Sequence, residues 1–546
     1  MKYKIIVLLT IMSLAACEDL EITPSDRLSD ASIWTDARTA DLFLNDIYFS
    51  LNAGPYPTVW TNVPSEISND PLDNFTDNST YGPDAGPASA LLFNSGSYNP
   101  SNTLFNNQWK NMYANIRKCN LFFEKVQASS YPKSTKTVML AQVRFMRAYF
   151  YKQLVDLYGG VPIITEVLRN DDGEDIFYPR NTYDECINFI CNESQLAADS
   201  LPLKWTGKDL GRITRGAALT MKGAAELYAG RWSAASTTNA QIINELGKGA
   251  VYDLFGNYAG LFYQNNENNK EVIMDIQFAP ELRYKSLNVY WGVPMVAKGA
   301  GWGTCDPTQN LVDSYEFTDG KTEAEGSAMF IPARPYANRD KRFYASVIYD
   351  GSMWRGTRIY TRLGIPNNAN EINVTGKTGN CGRTGYFTKK QQDSTIYSTT
   401  SRLDGLNFIV YRYAEVLLNY AEAKNELSGP DATVYDAVNK VRQRAGQPAL
   451  PLGLDQSAMR ERIRRERRIE FAFEGKYFYD IMRWRTAEQV FSQPIKGMKI
   501  TSVSGTLKYE KINVRTVTFN PAKNYLQPIP QYALDQNPAL TQNPGY

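Results

Sequence analysis

Apolar residues recur every three to four positions along two parts of the chain, and that spacing predicts helices. In the first part the pattern covers 31–51, 104–126, 135–158, 183–201, 214–231 and 233–246. In the last part it covers 410–427, 435–445 and a longer run at 459–485. The 135–158 stretch is bounded clearly, by Gly159-Gly160 with Pro162 just beyond, a C-terminal stop signal. Gly429-Pro430 stops 410–427 in the same way. Within 214–231, Gly216, Ala217, Ala218, Gly223, Ala224 and Ala225 leave room for a neighbouring helix to come close. Two stretches lack this order. Residues 52–103 are rich in Gly, Pro, Asn and Ser and read as loop. Residues 249–407 read as irregular, with short strand-like pieces at 272–278 and 342–349, and 517–546 reads as an extended tail.

The helices fall into pairs, 31–51/104–126, 135–158/183–201, 214–231/233–246 and 410–427/435–445. Repeated pairs predict a mainly α fold: a tetratricopeptide-like solenoid of helical hairpins with a large loop-rich insertion and minor β structure. A plain helical bundle is the alternative. The whole of 31–546 reads as one body.

Composition narrows the chemistry. Among 546 residues, 59 Lys and Arg face 57 Asp and Glu, a net charge of +2, without the basic excess of a nucleic-acid-binding protein. A mean hydropathy of −0.41 argues against a polytopic membrane protein. There is no histidine, which removes Ser-His-Asp and Cys-His triads, HExxH zinc sites and imidazole proton shuttles. The 35 tyrosines suit wet, sugar-like or peptide-like surfaces.

The N-terminus reads as an address. Lys2 and Lys4 precede an apolar run over 5–16, too short for a membrane span and suited to a signal peptide over 1–16. The run ends Leu14-Ala15-Ala16-Cys17, which resembles a bacterial lipobox, with Cys17 as the acylated first residue and 17–30 as a tether. The acidic Glu18, Asp19 and Glu21 resemble a surface-export signal. Two acyl chains would hold the protein at its membrane. Of the other cysteines, Cys119, Cys186, Cys191, Cys305 and Cys381, at least one must stay unpaired; buried thiols and a Cys305–Cys381 bridge both remain open. Neither they nor the acidic turn at 171–175 has metal-site spacing, and no cofactor motif is complete.

Ordered motifs then point to a family. They are Trp109-x3-Tyr113-x2-Ile116-x3-Asn120; Gln142-Val143-Arg144-Phe145-Met146-Arg147-Ala148-Tyr149 with Leu157-Tyr158-Gly159-Gly160-Val161-Pro162; and Gly211-Arg212-Ile213-Thr214-Arg215-Gly216. They continue through Asn338-Arg339-Asp340-Lys341-Arg342-Phe343, Tyr411-Arg412-Tyr413-Ala414-Glu415, Glu466-Arg467-Arg468-x-Glu470-Phe471-x2-Glu474-Gly475 and Gln542-Asn543-Pro544-Gly545-Tyr546. In order and number they resemble the SusD/RagB family of outer-membrane lipoproteins. The resemblance implies four tetratricopeptide-like helix pairs. It implies a cell-surface protein that captures oligosaccharides, or peptides in the RagB-like branch, and delivers them to a SusC-like TonB-dependent transporter, with no reaction. A carboxylate-only glycosidase is the rival from another class.

The charged motif residues read as structure. Glu466 and Glu470 share one helix face, as do Arg464 and Arg468, and like-charge rows of this kind require opposite charges on a neighbour. Arg144 and Arg147 read likewise. Ligand residues are expected in loops, where flat rings meet sugar C–H faces and polar groups meet hydroxyls. The 66–81 stretch offers Asp70, Asp73, Asn74, Phe75 and Tyr81; the 284–306 stretch offers Tyr290, Trp291 and Trp302. Gly301-Trp302-Gly303-Thr304-Cys305 resembles the family's Gly-Trp-x-x-Cys element, which carries a sugar-stacking ring, with Phe75 the nearest counterpart in the earlier loop. Trp302 reads equally as a stacking platform or as core.

Overall fold

A computed structural model describes residues 33–53, 71–83, 88–105, 107–169, 173–280, 282–283, 287–297, 300–374, 380–396 and 405–546. The predicted signal peptide, Cys17 and the tether lie outside these residues. Among the described residues no helix is long and apolar enough to cross a membrane.

The helices labelled below are α1 (Ala37–Phe49), α2 (Gln108–Ala128), α3 (Lys133–Tyr158), α4 (Tyr183–Ala198), α5 (Arg215–Tyr228), α6 (Trp232–Gln241), α7 (Tyr413–Ser428), α8 (Ala432–Arg444), α9 (Gln456–Glu470) and α10 (Lys476–Arg483). Short polar side chains start many of them. Asp36, Thr214, Asp431 and Asp455 accept from first-turn amides, and Thr182 with Glu185 closes a capping box on α4. From α2 to α8 each helix packs on the next, and α6 packs on α7 although about 170 residues of chain separate them. The solenoid therefore continues across its insertion. The chain leaves and re-enters beside itself, where strand 272–276 pairs antiparallel with strand 408–412. α3 lies between α2 and α4 and also meets α1, so most of its second half is buried.

The strands come in two-stranded ladders. Those used below are β1 (Ser79–Thr80), β2 (Val272–Ile276), β3 (Asp306–Pro307), β4 (Phe408–Arg412), β5 (Ile495–Val503) and β6 (Thr506–Arg515). β1 pairs with β3, β2 with β4, and β5 with β6.

The main core fills the helical stack. A second core under the insertion gathers Trp291, Cys305, Tyr315, Phe343, Tyr386 and Phe473. A buried ionic seam joins the halves. Arg342 from the insertion meets Asp340, Glu466 and Glu470; Arg412 meets Glu271, Glu470 and Glu474; and Arg444 meets Glu271 and Glu470. The Glu466/Glu470 row on α9 thus finds Arg342 as its opposite partner. In the Arg464/Arg468 row Arg468 reaches Asp77, while Arg464 pairs with Glu461 on its own helix, and Arg467 reaches Asp480. Arg144 and Arg147 both reach Glu193 on α4.

Several local expectations need correction. The 459–485 run is two helices. The chain breaks at Phe473 (φ 63°) and Gly475 (φ 72°), where the Asp73 carboxylate accepts from both amides. The 342–349 piece is mainly a helix, Lys341–Ser346, because Asp340 caps it through the Arg342 amide at 2.8 Å. The tail contains a short helix, Gln531–Gln536. All five described cysteines are buried free thiols, Cys305 and Cys381 included.

Candidate functional site

Trp302 sits on the return limb of a narrow loop. The outward limb starts with the short helix Leu287–Tyr290. The amides of Gly301, Trp302, Gly303 and Thr304 donate back to Val293, Val289, Gly292 and Tyr290 at 2.7–3.0 Å. The two limbs are thus zipped by backbone bonds. Further out, Asn370 holds Met295 by both its amide and its carbonyl, and Thr357 Oγ1 takes the Ala297 amide.

The glycines beside Trp302 have a steric cause. A Cβ on Gly301 would stand 2.3 Å from the Gly292 carbonyl carbon. Gly303, at φ 65°, would meet the Cys381 carbonyl oxygen at 2.6 Å. Only glycine lets the backbones cross at these distances. These glycines fix where the ring stands.

Trp302 is 36% exposed. Tyr290 lies edge-on beneath it, 4.4 Å between centroids and 67° between planes. Tyr290 itself is 2% exposed, so it supports the indole without presenting a face of its own. Trp302 thus stands as a partly exposed ring on a fixed mount.

The earlier loop is the mount's other side. Asn74 Nδ2 donates to Thr304 O at 2.9 Å, its Oδ1 accepts from Ser79 Oγ at 2.7 Å, and Gly82 N donates to Gly303 O. Phe75 is fully buried against Phe93, Phe105 and Phe478. It is core, not a second sugar platform. Asp73 is buried and bonded to Asn78, Phe473 and Gly475; burial raises its carboxyl against the pull of those donors. Tyr81, Tyr290 and Trp291 are interior too. As exposed ligand contacts these six positions are corrected: all are interior, and of them Asn74 and Tyr290 brace the Trp302 loop directly. Asp70 lies outside the described residues.

Asp306 follows the aromatic element and is fully buried. Burial pushes its carboxyl well up, and the Arg383 amide bond at 2.6 Å with the Arg383 charge only partly opposes this. Burial likewise raises the Cys305 thiol, which makes it inert. Among the described residues no cluster of Cys, Asp or Glu could hold a metal ion. Sequence reasoning missed Gly292 and Asn370. Gly292 follows Trp291 directly and could have been suspected; Asn370 acts on a residue 75 positions away and left no local sign.

A sequence profile of the SusD family matches residues 270–546, and one described as "Starch-binding associating with outer membrane" matches 58–225. The SusD-like protein P25 of Formosa agariphila is 28% identical over 386 residues, covering 69% of each chain. A solved SusD-like protein of Bacteroides fragilis superposes with a TM-score of 0.82 at 30% identity, covering 96% of this chain and 100% of that one. A SusD-like carbohydrate-binding protein of the same species superposes with a TM-score of 0.79 at 27% identity, covering 93% and 100%. In motif order, in solenoid and in insertion, this chain belongs to the SusD family.

Proposed function

We propose that this protein is a cell-surface lipoprotein that captures oligosaccharides and hands them to a SusC-like TonB-dependent transporter in the outer membrane, leaving their bonds intact. The observation that carries the reading is Trp302, a half-open indole on a glycine-crossed loop braced by Tyr290. A pyranose C–H face stacks on such a ring, and each such contact adds about 1 kcal/mol beyond area burial. One or a few stacks give an affinity weak enough for release, which a hand-over needs.

Two further points support it. The B. fragilis relative at 27% identity is named a carbohydrate-binding protein, and the profile over 58–225 carries an outer-membrane, starch-binding description. The carboxylates of the same frame, Asp73, Asp77 and Asp306, are buried, unlike the open acid pair that glycoside hydrolysis uses. Anchoring follows from Cys17 in its lipobox-like setting, and acyl chains account for membrane attachment without a spanning helix.

The test is extraction from the native membrane. The wild-type chain is expected in the detergent-soluble membrane fraction together with a large barrel protein, and Cys17→Ala in the aqueous fraction. Recovery of the wild-type chain from the aqueous fraction, alone, contradicts the reading.

A further inference from the structure

A second groove, of about 300 Å³, shares no residue with the Trp302 loop. One wall is the connection between α4 and α5, with Trp205, Leu210 and Arg212; the other is the turn at 268–270 and strand β2. Tyr252 is buried at its base, its hydroxyl 3.1 Å from Thr214 Oγ1.

Trp205 is the notable lining residue. Its indole Nε1 donates to Ile213 O at 2.8 Å, which satisfies its one polar atom and fixes the ring plane. Trp109, Trp354 and Trp484 each stack with a ring or a cation; among the described residues nothing of the kind stacks on Trp205, which is half-buried. Leu203 and Leu210 extend the apolar rim, 46% and 48% exposed. The polar lining is poised to donate. Lys204 and Asn268 are exposed and have no partner among the described residues, and Lys270 comes no nearer than 3.8 Å to Asp253. Asn268 is held at φ 56°, a conformation a non-glycine residue adopts at a cost. Arg212 is already engaged by Asp41 and Asp209 and serves as a fixed wall.

We propose that this groove is a second saccharide subsite, in which a pyranose stacks on Trp205 and its hydroxyls accept from Asn268, Lys204 and Lys270. The combination of a held, unstacked ring with two donors lacking partners among the described residues, Lys204 and Asn268, and a third, Lys270, only loosely paired with Asp253 matches the two faces of a sugar. An acyl chain would match the ring but leave the donors buried and unpaired. The groove volume lies at the small end of ligand pockets, the scale of a few sugar units. This inference rests on the glycan-binding reading. It adds to it that one chain holds a polysaccharide at two points, which raises retention of long chains through effective concentration without a new high-affinity site.

The test uses the wild-type chain, Trp205→Ala and Trp302→Ala. Affinity gels containing starch, laminarin, a xylan or a mannan identify the polysaccharide that retards the wild type, and its short oligosaccharides are then titrated calorimetrically. The expected stoichiometry is two per wild-type chain and one per chain of each variant. One per wild-type chain, unchanged in Trp205→Ala and lost in Trp302→Ala, overturns the second subsite and leaves the first standing. No retardation of the wild type by any of the four overturns both. Should Trp205→Ala fail to fold for want of the bond to Ile213, Asn268→Gly removes only the amide at a φ that glycine adopts freely. It is expected to weaken the second binding step at least about threefold; an unchanged second step is contradictory.

Discussion

Glu470→Gln is the sharpest probe of how the insertion is fastened to the helical scaffold. The Glu470 carboxylate accepts from Arg342 Nη1 at 2.9 Å, from Arg412 Nη1 at 2.6 Å and from Arg444 Nη2. All four side chains are nearly or fully buried. Burial alone would raise this carboxyl; the guanidinium groups of Arg444, Arg412 and Arg342 overrule it and hold it well below the usual range. Glutamine keeps the shape but loses the charge, and its amide nitrogen must face a guanidinium. Removing one partner of a buried ion pair costs about 3–5 kcal/mol. The low end applies here, because Arg342 keeps Asp340 and Glu466, Arg412 keeps Glu271 and Glu474, and Arg444 keeps Glu271. Unfolding entropy of about 2.1 cal/mol/K per residue gives about 1.1 kcal/mol/K for the 546-residue chain. A loss of about 3 kcal/mol therefore lowers Tm by about 3 °C in scanning calorimetry. The control is Glu124→Gln, which breaks an exposed pair with Arg169 and should change Tm by less than about 1 °C. Equal melting of Glu470→Gln and the control would refute the fastening role.

Two other outcomes follow from the same contacts. Gly301→Ala forces a Cβ against the Gly292 backbone at 2.3 Å; overpacking of this kind costs about 1–3 kcal/mol, and glycan affinity should fall with far-ultraviolet circular dichroism unchanged, whereas wild-type affinity in the variant would contradict the crossing argument. Acid should unfold the protein by protonating its buried, arginine-paired carboxylates, Glu422 on α7 and Glu470 on α9. Burial raises Glu422, but the Arg483 and Arg467 guanidiniums and the Trp484 N–H hold it at about 2, and Glu470 lies lower still. Both folded values are below the unfolded ones, so their stabilisation is complete above about pH 4.5 and is lost as pH falls toward 2. Melting at pH 7, 5 and 3 should show a small change in the first interval and a steep fall in the second; a steeper fall between 7 and 5 contradicts the assignment.

The solenoid was legible because its signals are local. Apolar spacing over 135–158 corresponds to Lys133–Tyr158, and Gly159 ends it at φ 75°. The break inside 459–485 was not, because amphipathic spacing runs through 471–475 and the turn is held by Asp73, some 400 residues away. The β5–β6 hairpin went unread although Ser504-Gly505, both at positive φ, is a readable turn pair. The site was half legible. Phe75, set among Asp and Asn, and Trp302, set between glycines, both lie in loop-like sequence that does not say which ring is covered. Only distant packing separates them: Phe93, Phe105 and Phe478 close over Phe75, while the crossing of Gly292 and Gly301 leaves Trp302 outside.

The central claim is that Trp302 grips a saccharide and releases it unaltered. Its most direct test is titration of wild-type protein and Trp302→Ala with the oligosaccharide that retards the wild type, followed by mass analysis of the recovered sugar. Loss of one stacking contact, about 1.4 kcal/mol or more, predicts at least about tenfold weaker binding at the Trp302 site in the variant, an unchanged Tm, and sugar returned at its original mass. Equal binding by both proteins, or recovery of shortened sugar, would contradict the claim.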